Sequence, residues 1–299
     1  MNNQGNNKFF IVDGHALVYR SYYGFMNHKL VTSYGLNTSA VYGFVTMLLD
    51  IIKREQPSYI AVVFDTKLPT WRHNVFREYK ATRPRQPDVI TASLPYIKEI
   101  LGGFSIKCFE LAGYEADDIV GTISHSLSSE CTVEAYLVTP DKDYAQLVND
   151  TTCIYKPTNN GYEIIRTSDV LRIWGIRNVR NVIDFLAICG DKADNIPGIP
   201  GVGPKTTQKL LNQYDSVECI LQNIDRLPVK IGAQFQRNTD QLTLSKRLAT
   251  ISTDVPVGFN INDCLIRGYN KTELFKIFTK LEFNMLIKRL KLDDNSIEF

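Results

Sequence analysis

Three carboxylates stand within four residues in the stretch Gly113-Tyr-Glu-Ala-Asp-Asp118, at Glu115, Asp117 and Asp118. The run that follows is half apolar and predicts a helix that begins at this point. One acidic side chain can cap a helix, because it complements the partial positive charge of the helix N-terminus, whereas three adjacent ones repel each other. Taken alone, the stretch is compatible both with helix capping and with metal binding.

Further carboxylates follow three short apolar runs, at Asp13, Asp65 and Asp141, and Asp143 comes two residues after the last of them. Short runs rich in β-branched and aromatic residues are typical of buried strands in a parallel sheet. Ligands of such sheets bind beyond the carboxyl ends of the strands. We therefore expect Asp13, Asp65 and Asp141 at one edge of one sheet, which the acidic helix start can also face.

Electrostatic repulsion favours cations at this edge. The cluster Gly190-Asp191-Lys-Ala-Asp194-Asn195 brings the acidic side chains to nine. Two carboxylates roughly 5 Å apart repel by about 3 kcal/mol at an effective dielectric near 20, so nine together would exceed a stability margin of about 5–15 kcal/mol. Some carboxylates must be protonated, or cations must lie among them. Because oxygen ligands select hard cations, we predict a site for two Mg²⁺ or Mn²⁺ ions.

The elements that position these residues alternate between strand and helix. Apolar residues recur with helical spacing from Ser39 to Glu55, where Ser39 can serve as the cap. The predicted parallel strands are Phe9–Asp13, Tyr59–Asp65, Phe104–Phe109 and Ala135–Thr139, and Cys153–Lys156 with Tyr162–Arg166 can form a hairpin. This alternation predicts an α/β fold with a mostly parallel central sheet flanked by helices.

From Thr167 onward the sequence contains no convincing strand. Helices are predicted at about 179–189, 204–213, 215–223, 239–251 and 271–280. We therefore predict two domains, an α/β core over residues 8–170 and a helical subdomain over residues 171–299, with a boundary near 170 that is approximate.

The composition is that of an ordinary globular protein, with 299 residues, 44% hydrophobic and 22% charged residues, and a net charge of +2. No two cysteines have the spacing of a zinc or redox pair, which favours free thiols in a reducing compartment. The chain has no apolar run long enough for a membrane span, and its start lacks the features of a secretion signal. These features predict a cytoplasmic protein.

A basic stretch follows Asp65. Residues 67–87 contain six Lys or Arg and a single acid, with Trp71, Phe76 and Tyr79 among them. Cations that pair with phosphates, interleaved with aromatic rings on which bases stack, favour binding of single-stranded nucleic acid. The predicted DNA contacts in this stretch are Arg72, Arg77, Tyr79, Lys80 and Arg83. The alternative is a solvated charged loop, but the position directly after Asp65 favours the nucleic-acid interpretation.

A glycine-rich stretch connects two predicted helices. Gly198 and Gly203 have the spacing of a P-loop, but Pro204 separates Gly203 from Lys205, where a P-loop needs adjacent glycine and lysine. Pro204 instead fits the first position of a helix. The turn Gly201-Val-Gly203 into a helix N-terminus exposes backbone amides to an anion. With Lys205, this stretch would hold a DNA phosphate without reading the base sequence.

In this order the motifs resemble those of the 5′-nuclease domain at the amino terminus of bacterial DNA polymerase I, related to phage 5′-exonucleases and flap endonucleases. The resemblance runs from about Phe9 to Leu286. The motifs that carry it are Val-Asp-Gly-His15, Tyr-Arg20, Val-Phe-Asp65, Glu-Tyr-Lys-Ala-Thr-Arg83, Gly-Tyr-Glu-Ala-Asp-Asp118, Thr-Pro-Asp-Lys-Asp143, Gly-Asp-Lys-Ala-Asp-Asn195 and Gly-Ile-Pro-Gly-Val-Gly203.

The resemblance implies roles for individual residues. It implies that Asp13, Asp65, Glu115, Asp117 and Asp118 surround one metal ion. It implies that Asp141, Asp143, Asp191 and Asp194 surround the second. Asp117 and Asp141 would also be catalytic residues. It implies that Lys80 and Arg83 lie in a helical arch over the active site, at about residues 67–100, and that Arg20 contacts a phosphate. Gly198 to Lys205 would form a helix–three-turn–helix that grips duplex DNA and binds K⁺.

The implied activity is that of a structure-selective 5′-3′ exonuclease and 5′-flap endonuclease in replication and repair. Its substrates would be DNA with 5′ ends, flaps or nicks, and RNA primers. The resemblance implies a monomer or a domain of a larger polymerase. Two alternatives remain open: a non-catalytic duplex-DNA-binding module, which leaves the nine acids unexplained, and a PIN-type ribonuclease, which would lack the duplex grip and the arch.

Overall fold

The computed structural model describes residues 7–127 and 133–293. The strands are β1 (Asn7–Asp13), β2 (Tyr59–Val63), β3 (Lys107–Phe109), β4 (Val133–Val138), β5 (Thr152–Thr158) and β6 (Gly161–Ile165). The α-helices are α1 (Gly14–Gly24), α2 (Ser39–Glu55), α3 (Trp71–Val75), α4 (Asp88–Gly103), α5 (Ala116–Leu127), α6 (Thr167–Trp174), α7 (Asn181–Cys189), α8 (Pro204–Tyr214), α9 (Val217–Gln222), α10 (Val229–Arg237), α11 (Thr239–Ala249), α12 (Lys271–Lys280) and α13 (Asn284–Arg289). Short 3₁₀ helices cover Lys142–Leu147, Ile224–Arg226 and Ile261–Cys264.

The chain divides into two compact units. The first unit comprises Met1–Phe64, Arg85–Glu110 and Gly258–Phe299, and the second comprises Asp65–Pro84 and Leu111–Val257. The units therefore interleave along the chain, and the linear boundary near residue 170 stays a prediction. Within the two described ranges, none of the helices combines the length and the apolar character needed to cross a membrane. The cysteines in those ranges are free thiols.

The first unit contains three parallel strands in the order β3-β2-β1. Phe9 to Val12 of β1 are at most 1% exposed, so both faces of this strand are buried, as is usual in parallel sheets. The predicted strand from Phe104 begins later, at Lys107, because α4 continues to Gly103. Helix α2 packs against both α1 and α4.

Helix α2 has the bounds that its sequence predicts. Its apolar stripe from Val41 to Leu49 is buried, which confirms the prediction that this stripe faces a core. The capping role predicted for Ser39 is wrong, since Thr38 occupies the N-cap position. The Ser39 hydroxyl instead accepts a hydrogen bond from the Leu30 N–H at 2.8 Å, so it orders the loop before the helix.

The second unit contains β4 and β5, which are parallel, and β6, which pairs with β5 in antiparallel fashion. Thr158 pairs with Gly161 across a two-residue turn, which confirms the predicted hairpin. After β6 the described part of the chain contains helices and loops but no further strand. Helices α7, α8, α9, α11 and α12 confirm the five helices that the sequence predicts there.

The segment predicted as an arch, at about residues 67–100, is split between the two units. It holds the five-residue helix α3, then turns and a loop as far as Pro87, and finally α4. Ile90, Ile97 and Leu101 of α4 are completely buried, so α4 is a core helix of the first unit. The arch prediction is therefore corrected at its end, because residues from Asp88 onward pack into a core.

Candidate active site

The start of α5 uses acidic side chains as caps. Gly113 has a φ of +87°, which is the left-handed conformation that glycine adopts most easily, and it turns the chain into the helix. Asp65 Oδ1 accepts a hydrogen bond from the Ala116 N–H at 2.8 Å. Asp118 Oδ2, at the third helical position, accepts from the Glu115 N–H at 3.3 Å, which is half of a capping box. Capping thus accounts for part of this acidic stretch.

Asp118 has no acceptor position left for an ion. Its side chain is completely buried. Oδ1 accepts from Arg72 Nη2 at 2.8 Å and from the Ser252 N–H at 2.9 Å. Oδ2 accepts from Arg72 Nη1 at 2.8 Å and from Trp71 Nε1 at 3.1 Å, in addition to the Glu115 N–H. A carboxylate offers about four lone-pair positions, and five donors already use them. The structure thus gives Asp118 a full set of protein hydrogen bonds, and its metal-binding role stays a prediction.

Arg72 is a structural cation and not a DNA contact. Its side chain is 1% exposed. Nη1 lies 2.9 Å from Glu115 Oε2 and also donates a hydrogen bond to Asp118 Oδ2. Nε and Nη2 each donate to a backbone carbonyl at 2.9 Å, those of Leu248 and Thr250. Burial alone would lower the pKa of Arg72, but the adjacent carboxylates outweigh it and raise the pKa above its usual range. A buried, fully paired guanidinium cannot meet a phosphate, so the predicted DNA contact of Arg72 is wrong.

Asp117 differs from both of its acidic neighbours. Its Oδ1 is buried and has no hydrogen-bond partner among the described residues. The Arg72 Nη1 atom lies 3.9 Å away, beyond hydrogen-bond distance. Burial, and then the charges of Glu115 and Asp118, raise the pKa of Asp117 well above its usual range. Such an unsatisfied carboxylate oxygen costs free energy unless a proton or a cation meets it.

Tyr79 and Lys80 link this region to the loop that carries Asp194. The Tyr79 hydroxyl lies 2.9 Å from Glu115 Oε2 and 2.9 Å from Asp194 Oδ2. The Tyr79 side chain is 3% exposed, so the predicted stacking of Tyr79 on DNA is wrong. Lys80 Nζ lies 2.6 Å from Glu115 Oε1 and 3.6 Å from Asp194 Oδ2. Burial alone would lower the pKa of Lys80, but these two carboxylates hold it at about 12.

The backbone also ties these two loops together. The Lys80 N–H donates to the Asp194 carbonyl at 3.0 Å, and Arg83 Nε donates to the Ala193 carbonyl at 3.1 Å. Lys80 has a φ of +56°, a conformation that costs a non-glycine residue on the order of 1 kcal/mol. Arg83 Nη2 donates to Asp194 Oδ1, and the Arg83 side chain stays 47% exposed. The structure thus holds Lys80 and Arg83 side by side on the acidic cluster.

A second acidic group lies on the loops after β4 and after α7. Asp141, which is exposed, caps the following 3₁₀ helix by accepting from the Asp143 N–H at 3.0 Å. Lys142 Nζ lies 3.2 Å from Asp143 Oδ1 and also contacts Asp191 Oδ2. Burial, and then the Asp141 charge, raise the pKa of Asp143 to about 7. Asp191 Oδ1 accepts from the Ala193 N–H at 2.7 Å, which shapes the loop that carries Asp194.

The carboxylates of the second unit therefore form two groups. The first acidic group is Asp65, Glu115, Asp117 and Asp118, and the second acidic group is Asp141, Asp143, Asp191 and Asp194. Across residues 7–127 and 133–293, no three His, Cys, Asp or Glu side chains are gathered closely enough to enclose a metal ion. The reason is that side chains of Arg72, Tyr79, Lys80, Arg83 and Lys142 lie between the carboxylates. The sequence predicts cations among these acids, and the protein's own basic side chains supply part of that positive charge.

Two predicted site residues belong to the first unit. Asp13 is the N-cap of α1 and accepts from the Ala16 N–H at 3.0 Å. Arg20 lies in α1 and is partly exposed. The metal-binding role of Asp13 and the phosphate-binding role of Arg20 stay predictions.

The connection from α7 to α8 depends on two glycines. Gly190 and Gly198 have φ values of +72° and +63°, and a Cβ atom on Gly198 would lie 2.3 Å from the Gly190 nitrogen. Gly198 is buried, and its N–H donates to Ser245 Oγ at 3.4 Å. Its predicted DNA contact is therefore wrong. Pro204 occupies the first helical position of α8, as predicted.

The remaining predicted DNA contacts are accessible. Gly201, Gly203 and Lys205 at the start of α8 are exposed, and so is Arg77 in the basic stretch. Their roles in DNA binding stay predictions.

Sequence reasoning missed three contributors to this site. Trp71 and Arg72 were interpreted as nucleic-acid contacts, although they bind Asp118, and Lys142 was not assigned a role. The position of Lys142 between Asp141 and Asp143 is a signal that could have identified it as a countercharge. No comparable local signal marks Arg72, because its partners lie 43 to 178 residues away in sequence.

Models of known families match most of this chain. The model of the 5′-3′ exonuclease N-terminal resolvase-like domain matches residues 8–175, and the model of the 5′-3′ exonuclease C-terminal SAM fold matches residues 178–272. A 5′-3′ exonuclease of Aquifex aeolicus is 37% identical over 282 residues, which are 94% of this chain and 94% of that protein. DNA polymerase I of Bacillus subtilis is also 37% identical, over 97% of this chain but only 33% of the polymerase.

A solved structure shares the fold. A bacteriophage T5 flap endonuclease, crystallised as a pseudo-enzyme–product complex with DNA and metal ions, aligns with a TM-score of 0.70 at 19% identity and covers 92% of this chain and 99% of that chain. The chain spans about a third of the DNA polymerase I relatives that it matches. Two adjoining family matches, and a relative aligned over nearly its full length, show that this chain belongs to the 5′-3′ exonuclease family.

Proposed function

We propose that this chain hydrolyses phosphodiester bonds of DNA at or near 5′ ends, including 5′ flaps and nicks, and that it requires divalent metal ions. The observation that carries the proposal is the buried Asp117 Oδ1, which has no hydrogen-bond partner within residues 7–127 and 133–293 and lies among further carboxylates. An oxygen in that state is suited to a hard cation. Membership of the 5′-3′ exonuclease family supports the same reaction.

The donor set of the second unit fits divalent ions, with one change from the expected ligands. Asp117 would hold one ion together with Asp65 and Glu115, and Asp141 and Asp143 would hold a second with Asp191 and Asp194. Asp118 is left out because its oxygens are fully used. When bound, such ions would activate water and offset the charge of the scissile phosphate. The choice of Mg²⁺ or Mn²⁺, and of K⁺ at the α7–α8 connection, rests on the family resemblance.

Lys80 and Arg83 would bind the phosphate next to the bond that breaks. Both side chains are already oriented by Glu115 or Asp194, and Arg83 keeps 47% of its surface exposed. The pKa of Lys80, about 12, means that it stays charged at neutral pH. Preorganised cations of this kind stabilise charge that develops in the transition state.

The start of α8 would hold the duplex away from the reacting bond. Gly201, Gly203 and Lys205 are exposed at a helix N-terminus, where backbone N–H groups attract a phosphate. Arg77 and Arg20 would contribute further phosphate contacts, and none of these groups reads base sequence. We also propose that RNA primers are cut, that the chain works in replication and repair in the bacterial cytoplasm, and that it acts as a monomer or as a domain of a larger polymerase.

The test is incubation of the chain with a 5′-labelled flap duplex, with Mg²⁺ and with excess chelator. We expect cleavage near the junction in Mg²⁺ and none in chelator. Full activity in chelator would contradict metal dependence. Binding of the flap without cleavage in Mg²⁺ would instead support a non-catalytic DNA-binding module, and cleavage of single-stranded RNA in preference to the flap would support a PIN-type ribonuclease.

A further inference from the structure

We infer that Arg72 and Asp118 act as a positioning pair that prepares the neighbouring acids for cations, and that Asp118 itself coordinates no ion. The inference rests on the proposed function, since it concerns the metal site assigned there. It departs from the ligand role that the family resemblance implies for Asp118.

The first argument is that the pair is completely satisfied. A guanidinium has five N–H donors, and all five of Arg72 are used: one on Glu115, two on Asp118, and one each on the carbonyls of Leu248 and Thr250. The carboxylate of Asp118 is equally saturated. A buried ion pair is tolerated only when its remaining hydrogen-bonding capacity is met in this way. An ion could bind Asp118 only by displacing one of these donors.

The second argument is electrostatic. Arg72 Nη1 lies within 4 Å of three carboxylates, those of Glu115, Asp117 and Asp118, at 2.9, 3.9 and 2.8 Å. The guanidinium remains charged at every accessible pH. It therefore offsets the mutual repulsion of the three acids whether or not metal ions are present.

The third argument concerns geometry. Arg72 connects α3 and the start of α5 to the last turn of α11 and to the segment that follows it, and Ser252 of that segment also binds Asp118. These contacts set the orientation of the first turn of α5, on which Glu115 and Asp117 lie. The pair thus fixes the positions of Glu115 and of Asp117, whose Oδ1 has no hydrogen-bond partner among the described residues, as groups behind metal ligands do in other metal sites.

Adjacent variants separate a positioning role from a ligand role. The measurements are Mn²⁺ binding by electron paramagnetic resonance and melting temperature by calorimetry in chelator. For Asp118→Asn we expect the same number of Mn²⁺ ions per chain as in the parent, an affinity about 10- to 100-fold weaker, and a lower melting temperature in chelator. For the matched control Asp117→Asn we expect a higher melting temperature in chelator and the loss of one bound Mn²⁺.

A double variant separates positioning from general stability. Arg72→Met combined with Asp118→Leu replaces the buried pair with apolar side chains of similar size, which often restores stability. We expect its melting temperature to recover relative to Asp118→Asn while its Mn²⁺ affinity stays reduced, because Glu115 has lost a donor. Arg72→Lys keeps the positive charge but loses the planar guanidinium that donates to several groups at once. We expect a reduced Mn²⁺ affinity in this variant as well.

The inference is overturned if Asp118→Asn loses a bound Mn²⁺ and keeps its melting temperature in chelator, which would make Asp118 a ligand. It is also overturned if Arg72→Lys or the double variant binds Mn²⁺ as the parent does. Failure of Asp118→Asn to fold in chelator would support positioning, because a carboxylate needed only for metal is dispensable there. If the parent chain bound no Mn²⁺, the proposed function would fail, whereas the inference fails only through the variants.

Discussion

The two acidic groups of the second unit balance their charge in different ways. In the first acidic group the countercharge is Arg72, which is 1% exposed and has every donor in use. In the second, Asp194 pairs with Lys80 and Arg83, whereas the countercharge of Asp143 and Asp191 is Lys142, whose side chain is 56% exposed. Replacing the guanidinium would require five hydrogen bonds to be broken in the interior. The ammonium of Lys142, in contrast, can leave for water by rotations of its own side chain.

This difference indicates which charges belong to the fold and which can be exchanged. A buried arginine fork is a permanent part of the structure, and the acids around it keep one arrangement. A half-exposed lysine is an exchangeable cation, and its place between two carboxylates is one that a divalent ion could take. The first group is therefore organised before any ion binds, and the second is balanced by a side chain that an ion would displace.

Asp141→Asn should have the largest effect, because it removes an exposed carboxylate from the second acidic group, whose countercharge Lys142 can be exchanged for a metal ion. We expect cleavage of a 5′-flap duplex to fall at least about 10³-fold, since a catalytic metal contributes several kcal/mol. DNA binding should survive. Single-turnover cleavage with a parallel binding titration measures both. Cleavage within a few-fold of the parent would show that the second acidic group is not part of the active site.

Lys80→Ala should have the next largest effect, because Lys80 contacts both acidic groups. We expect single-turnover cleavage at saturating DNA to fall by about 10²–10³, as for one lost oxyanion donor. The matched control is Lys205→Ala, which removes one exposed lysine at the start of α8. It should leave that rate unchanged and lower the salt dependence of binding by about one phosphate contact. If both variants alter only the affinity for DNA, Lys80 contributes to DNA binding and has no part in the reaction.

The metal-free protein should lose stability as pH rises from 5 to 8. The pKa of Asp143 is raised from 3.8 to about 7, and that of Asp117 is also raised. Between the ordinary and the raised values the folded chain binds more protons than the unfolded chain, so the free energy of unfolding decreases with pH. The lowered pKa values of Asp194 and Glu218 act only below this window.

Melting temperatures in chelator at pH 5 and pH 8 measure this slope. Saturating Mn²⁺ should reverse its sign, because carboxylates must lose their protons to bind metal. A metal-free melting temperature that rises from pH 5 to pH 8 would contradict the raised pKa values of Asp117 and Asp143.

Lys142→Met should have the smallest effect. It removes the exchangeable ammonium, so Mn²⁺ should bind more tightly, by up to about fivefold given the usual strength of an accessible ion pair. The melting temperature in chelator should fall, because Asp143 and Asp191 lose their countercharge. Arg72→Lys serves as the contrasting variant, since it should weaken Mn²⁺ binding. Weaker binding in both variants would mean that Lys142 positions ligands as Arg72 does.

Local sequence was sufficient for the elements and for the location of the acids. The bounds of α2, the hairpin of β5 and β6, and five of the helices described after residue 178 follow from periodicity and turn residues, which are properties of neighbouring positions, whereas α10 and α13 were not predicted. The strand ends and the start of α5 can likewise be predicted from the local sequence. The acidic residues could therefore be assigned to loops and to a helix start.

Only the tertiary structure decided what each acid does. Asp117 and Asp118 are adjacent and chemically identical. In the part of the chain that the structure describes, however, Asp117 keeps a buried oxygen without a hydrogen-bond partner, whereas Asp118 accepts five hydrogen bonds. Most of those donors come from residues 71, 72 and 252, which are remote in sequence. Helical geometry turns neighbouring side chains about 100° apart. The two carboxylates therefore point to different surroundings, and no local pattern can say which of them meets an arginine.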